Sequence, residues 1–360
     1  MYILNPNESN APAKKSLLDV SFDELTRIMT DWEEPVFRAR QIREALYVQR
    51  RTRIADITTL SKSLRDRLNA HYTLRQLSLE AYIESEKDGT GKYLWRLADG
   101  YKIESVVIYE GRRTTFCISS QVGCPLDCKF CATGKMGLLR NLTPGEIIEQ
   151  VLQMEHRIGR RPTNIVYMGM GEPMLNYDSV MQAAETLTDP DGYGLSPRRI
   201  TISTSGVIPG IYRFADEERP FSLAISLNSV DDDVRRQIMP ISKKYPINDL
   251  LDAARYYTEK SGRLITFEYV LLDRFNSTRE DARKLVKLTH RLRSKINVIP
   301  CNATDEAYRP PSAEKTAVFR EHINERSRRI TMRKRKGWEI QAACGQLYAE
   351  NQRRKKSKKS

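Results

Sequence analysis

Residues 114–134 read TTFCISSQVGCPLDCKFCATG. The opening TTFCIS is apolar and β-branched, the composition of a buried strand. It runs directly into a loop that carries Cys124, Cys128 and Cys131 among glycines and a proline. Parallel α/β folds bind their ligands outside the carboxyl ends of the strands. A strand that delivers cysteines to that end therefore predicts both the fold and the place of its chemistry.

Downstream, the same strand character recurs at NIVYMG, RITIS, FSLAIS, LITFEYVL and INVIP, separated by segments of helical periodicity. This alternation is the signature of βα units around a parallel sheet. The first helix is the clearest. Thr143 can cap it, Pro144 suits its first position, Glu146 can return a carboxylate to the cap, and Ile147, Ile148, Val151 and Leu152 form one apolar stripe. Six units fall short of the eight of a closed TIM barrel, so the expected fold class is α/β, an open or partial (βα)6 barrel. Upstream, GKYLWRL and KIESVVIYE meet across Asp99-Gly100, a dipeptide suited to a hairpin, and form a short β extension. Residues 17 to about 80 carry helical signals instead, with Ser21 and Glu24 spaced as a capping box and a periodic stretch from Pro35 to Tyr47. Arg38, Arg40, Arg43, Arg50, Arg51 and Arg53 could give this part a basic face. The expected organisation is a helical accessory domain at 1–90, a barrel core with its β extension at 91–348, and the basic tail at 349–360 that ends in RRKKSKKS.

Lys and Arg number 60 against 46 Asp and Glu, a formal charge of +14 that argues for a polyanionic partner such as nucleic acid. The first residues, MYILNPNESN, lack the basic start and apolar run of a signal peptide, and no stretch is apolar enough to span a membrane. A cytoplasmic protein is expected. Six cysteines are too sparse for a disulfide scaffold, and a reducing compartment would keep them as thiols for metal binding or catalysis.

A closed zinc site would want four ligands, and no second cysteine or histidine pair lies near the loop. An iron–sulfur cluster also normally takes four thiolates, so three would leave one iron open to another ligand. The spacing C-x3-C-x2-C, with Phe130 just before the last cysteine, resembles the radical S-adenosylmethionine (SAM) superfamily. The resemblance implies a [4Fe-4S] cluster on Cys124, Cys128 and Cys131, with SAM chelated by the open iron.

Further motifs narrow the family. CISSQVGC and GLLRNLTPGEI stand around the loop, followed in order by GMGEPMLNY, STSGVIPG, SLN, PCN and AACGQLY. In that order they are similar to the RlmN and Cfr adenosine methyltransferases, from Gly91 to Tyr348. The resemblance, closest to RlmN, implies methylation of carbon 2 of an adenine in 23S rRNA, and in tRNA, with two SAM per turnover. It also implies a monomer supplied by an electron donor such as flavodoxin or ferredoxin. By the same resemblance Gly171, Glu172, Ser203, Ser226, Leu227, Asn228 and Asn302 hold the cofactor, with Asn228 standing where the family usually has histidine. Cys344 takes a methyl group from one SAM; a radical generated from the second removes a hydrogen from that methyl, and the carbon then adds to the base. The resemblance also makes Glu104 the proton acceptor and Cys117 the residue that closes a disulfide with Cys344 to release methylated RNA. Cys301, inside PCN, matches none of the family's functional cysteines and is expected to be a buried thiol, and His71, His156, His290 and His322 belong to none of these motifs. Two alternatives share the residues: the Cfr subgroup, which methylates carbon 8, and a zinc-stabilised RNA-binding module without catalysis.

Overall fold

The computed structural model of the chain describes residues 14–302, 307–324, 330–332, 336–337 and 339–340. The helical part comprises β1 (Lys15–Ser16), α1 (Phe22–Asp31), α2 (Phe37–Tyr47), α3 (Lys62–His71) and β2 (Tyr72–Thr73). Ser21 caps α1 by accepting from Glu24 N, but the Glu24 carboxylate turns to Lys15, so only half of the expected box forms.

The sheet takes up at Leu77, earlier than the residue-91 boundary expected from the sequence. Its antiparallel strands are β3 (Leu77–Glu84), β4 (Gly91–Leu97), β5 (Lys102–Glu110) and β6 (Arg113–Cys117). β3 is an edge strand with Glu80 and Glu84 at outward positions, which dilutes its apolar signal. The cysteine segment lies within a small hairpin of β7 (Gln121–Cys124) and β8 (Gly137–Asn141).

The βα units then follow as α4 (Pro144–Ile158), β9 (Asn164–Tyr167), α5 (Tyr177–Thr188), β10 (Ile200–Thr204), α6 (Ile208–Asp216), β11 (Ser222–Ser226), α7 (Asp232–Ile238), α8 (Ile247–Ser261), β12 (Ile265–Leu271), α9 (Arg279–Thr289), β13 (Ser294–Pro300), α10 (Ala313–Asn324) and β14 (Ile330–Met332). Ten strands form one sheet in the order β14-β13-β12-β11-β10-β9-β6-β5-β4-β3. The six expected units are its parallel strands β6 and β9 to β13. β14 adds one more parallel strand, too short to leave a sequence pattern.

One face of the sheet joins the helices in the main core, through residues such as Phe116, Ile165, Ile202 and Ile225 with Ile147, Ile148 and Val151 of α4. Because strand side chains alternate, Val106, Cys117 and Val166 form a separate small cluster on the other face. The capping box at Thr143 and Glu146 forms as expected, and Arg140 adds a bidentate pair with Glu146 at 2.8 Å.

The helical unit docks on α4 and α5. Asp19 Oδ1 accepts from Gly145 N at 2.6 Å, where a Cβ on Gly145 would collide with the same oxygen. Arg43 pairs with Asp189, and Arg50 with Glu155. Two members of the expected basic face are therefore turned inward, toward carboxylates more than a hundred residues away that local sequence cannot reveal.

Glu149 of α4 fixes the linker between the two parts. Its Oε2 accepts from Gln76 N and Leu77 N, while burial outweighs those bonds and raises the carboxyl from 4.5 to about 7. The folded state thus holds this proton more tightly than the unfolded chain does. The stability involved is fully present below about pH 4.5 and is lost as pH rises through about 7. Urea unfolding at a series of pH values should show wild type losing up to roughly 3 kcal/mol over that range relative to Glu149→Gln.

Candidate active site

The cysteine loop leaves the carboxyl end of β6. Gly123, at φ +79°, lets its hairpin close: a Cβ there would sit 1.9 Å from Gly137 O. Cys131 N donates to Cys128 O, and Lys129 N donates to Ile238 O at the end of α7, both at 2.9 Å. Cys128 is buried, while Cys124 and Cys131 are half-buried. Desolvation pushes the Cys124 thiol up to about 12 and Cys128 higher still, and the neighbouring thiols raise both further. A group that binds here must therefore supply enough positive charge to hold several thiolates together. No set of three or more Cys, His, Asp or Glu side chains among the described residues converges on a single metal ion. A four-iron cluster asks for no such convergence, since each thiolate takes a different iron. The donor set fits that group.

The expected cofactor residues line the strand ends beside this loop. Gly171 has φ +103°, and a Cβ on it would lie 2.6 Å from Gln121 Cβ and 2.7 Å from Gln121 N. Glu172 is 2% exposed; its two oxygens accept from Met174 N and Ser205 N, while burial raises its carboxyl above the ordinary range. A ligand ammonium would offset that desolvation. Ser203 is the last residue but one of β10 and Ser226 the last of β11, and both are half-buried. Leu227 is buried, with its N–H donating to Glu268 O. Asn228 adopts a left-handed backbone at φ +54°, and its side chain is committed to the wall, with Oδ1 accepting from Val270 N and Nδ2 lying 3.3 Å from Met239 Sδ. A ligand contact from this position falls to the backbone. Asn302 Oδ1, just past β13, is buried with no hydrogen-bond partner among the described residues.

Cys117 lies opposite Val106 on one side and Val166 on the other. Alternation along β5 puts Glu104 on the same face as Val106, so Glu104 is the diagonal neighbour of Cys117. Ser119 Oγ donates to Glu104 O at 2.6 Å and accepts from Met170 N, which ties β5 to the start of the cysteine loop. Lys92, not anticipated from the sequence, forms a buried ion pair with Glu104 at 3.8 Å, with the two side chains 1% and 2% exposed. Cys344, and with it the Cys117–Cys344 disulfide, lies outside the described residues. Cys301, just past β13, is the buried thiol expected of it.

Arg235 of α7 was also missed, and it is 0% exposed. Its guanidinium donates to Leu227 O at 2.9 Å, Ser205 O at 2.9 Å, Ser226 O at 3.2 Å, Ser242 Oγ at 2.7 Å and Tyr245 O at 3.4 Å. Burial pulls it down to about 10, still well above neutral pH. In sequence it sits within DDDVRRQI and looks like part of a solvated charge run; its signal is the i, i+3, i+4 spacing with the buried Ile238 and Met239. Asn276 is a second such residue, its amide bridging Asn228 O and Val270 O, both at 2.7 Å.

The family model described as the radical SAM superfamily matches residues 118–288, and that of the ribosomal RNA large subunit methyltransferase N-terminal domain matches 15–74. A protein of Anaeromyxobacter sp. described as dual-specificity RNA methyltransferase RlmN is 43% identical over 355 residues, 96% of this chain and 94% of that one. A Thermotoga maritima protein described as a probable enzyme of the same name is 40% identical over 333 residues, covering 92% and 97%. The crystal structure of a radical SAM methyltransferase from Sphaerobacter thermophilus superposes with a TM-score of 0.88 at 39% identity, covering 92% of this chain and 98% of that one.

Proposed function

Because this chain belongs to the RlmN family of radical SAM RNA methyltransferases, we propose that it methylates carbon 2 of an adenine in 23S rRNA and in tRNA, carrying the methyl group on Cys344. It would act in the cytoplasm as a monomer, using two SAM per turnover and electrons from a flavodoxin- or ferredoxin-type donor. The observation that carries this reading is the convergence at one end of the sheet of the cysteine loop, Glu172, Ser203, Ser226 and the diagonal pair Cys117 and Glu104.

When bound to Cys124, Cys128 and Cys131, a [4Fe-4S] cluster with SAM on its open iron supplies one-electron chemistry able to remove a hydrogen atom from a methyl group. The protein's part is to hold and move the other groups. Glu172 and the backbone at Ser226 to Asn228 would orient the cofactor's polar portions, with Asn302 Oδ1 accepting from its nucleoside. Cys344 carries the one-carbon unit, which becomes bonded both to its sulfur and to the adenine carbon. Glu104, held beside Lys92, would take the proton that leaves the adenine carbon, and the one surplus electron of the adduct would pass to a bound cluster. The Cys117 thiolate then attacks the Cys344 sulfur and the carbon–sulfur bond breaks. The carbon keeps the electron pair and takes a proton, leaving a methyl group on the base and a Cys117–Cys344 disulfide for the donor to reduce.

Nucleoside analysis of rRNA and tRNA incubated separately with the reconstituted enzyme tests the reading. 2-Methyladenosine in both is the expected result; 8-methyladenosine without it would transfer the chain to the Cfr activity.

RNA is also expected to touch the helical domain. Between that domain and α4 lies a cleft of about 270 Å³ whose lining includes Arg51, Arg75, His156 and Arg157. If each arginine meets one phosphate, replacing Arg51, Arg75 and Arg157 together by Gln should flatten the dependence of log K on log salt by about 2 to 3. SAM binding should be unchanged. Filter binding of a tRNA transcript across a salt series measures the first and equilibrium dialysis the second.

A further inference from the structure

Arg235 is a cation with no exposure to water; no carboxylate lies within ion-pair distance of it among the described residues, and the opposite charges that act on it are Cys128 first and the Asp232 carboxylate second. A buried charge is ordinarily tolerated only beside an opposite one, and five neutral acceptors do not supply that. Its surroundings show where the larger opposite charge enters. Nη2 donates to the carbonyl of Ser205, a residue whose N–H donates to Glu172. The helix that bears Arg235 ends at Ile238, whose carbonyl accepts from Lys129 between Cys128 and Cys131. Gly206, at φ +107°, permits this approach: a Cβ there would lie 3.3 Å from Nη2. The guanidinium therefore faces the cysteine loop at one residue's remove while fixing the carbonyls of the loops after β10 and β11.

We propose that Arg235 is the counter-charge of the cysteine loop, a positioning residue that favours the electron-rich state of the group held by Cys124, Cys128 and Cys131 and keeps the SAM-binding loops in register with it. This rests on the cluster reading above. Adding an electron to a group already bound by three thiolates increases its negative charge, and a fixed cation in a water-poor setting stabilises that state in preference to the oxidised one. Its planar fork, with five donors, matches the several carbonyls it holds; a lysine ammonium would keep the charge without the fork.

The test uses anaerobically reconstituted wild type, Arg235→Gln and Arg235→Lys, each assayed for iron and sulfide, for cluster midpoint potential by EPR-monitored reduction with dithionite, and for SAM binding by equilibrium dialysis. Arg235→Gln is expected to lower the reduction equilibrium constant at least tenfold, 59 mV for one electron, and to weaken SAM binding. Arg235→Lys is expected to keep the potential and lose about tenfold in SAM affinity. A wild-type potential in Arg235→Gln overturns the proposal. If that variant does not fold, Arg235→Lys decides: a tenfold shift in its reduction constant, or unchanged SAM affinity, overturns it equally. Wild type without iron, sulfide or an EPR signal would instead refute the cluster reading.

Discussion

Replacing Cys117 by alanine is expected to leave the protein covalently joined to its RNA, as a band retarded on a denaturing gel and abolished by ribonuclease. Cys344→Ala should form no such band and no methylated RNA. The asymmetry follows from the roles proposed for the two sulfurs. One is bonded to the carbon that attaches to the base, so without it nothing attaches; the other only breaks that bond, so without it the attachment persists. Alanine at 117 leaves the strand intact, because the pairing of residue 117 with Val106 and Val166 is made by the backbone. Turnover should stop after about one equivalent of adduct, a loss limited only by the assay. An adduct that forms without Cys344 would remove that residue from the mechanism.

The second large effect is expected at Gly171. An alanine there would hold φ near +103° and drive its Cβ to within 2.8 Å of Gln121. Overpacking of this kind costs about 1–3 kcal/mol, and a strained backbone at a non-glycine residue costs about as much again. Relief by moving Gln121 is also unfavourable. Its amide oxygen accepts from Glu172 N at 2.8 Å and its Nε2 donates to Asn141 at 2.8 Å, so the shift would displace the carboxylate proposed to receive the cofactor. SAM affinity should fall by about a hundredfold or more, since each tenfold corresponds to about 1.4 kcal/mol. Equilibrium dialysis of the reconstituted variant reads this directly. Wild-type affinity would exclude the Gly171–Glu172 turn from the cofactor site.

The parallel strands were legible because each is a continuous apolar run, and the motif loops because each follows such a run at a fixed remove. β3 escaped notice because half its residues face outward and two of them are glutamates. The parts of the site that were not legible share one cause: their partners are distant in the chain. Arg235 stands among charged residues and reads as solvated until the carbonyls of Ser205 and Tyr245 are seen around it. Lys92 and Glu104 belong to neighbouring strands of an ordinary hairpin, and nothing local shows that both are sealed from water. The arginines of the helical domain look like one basic face, yet Arg43 and Arg50 meet Asp189 and Glu155 of the barrel.

The turn after β11 limits which residues can stand at position 228. Residue 228 sits at φ +54°, a backbone handedness that asparagine and histidine both tolerate far better than β-branched residues do. Exchange between those two letters preserves the bend that presents the main chain, while valine, isoleucine or threonine would unbend it. What this point requires is therefore a torsion angle, and an alphabet of only a few side chains is compatible with it.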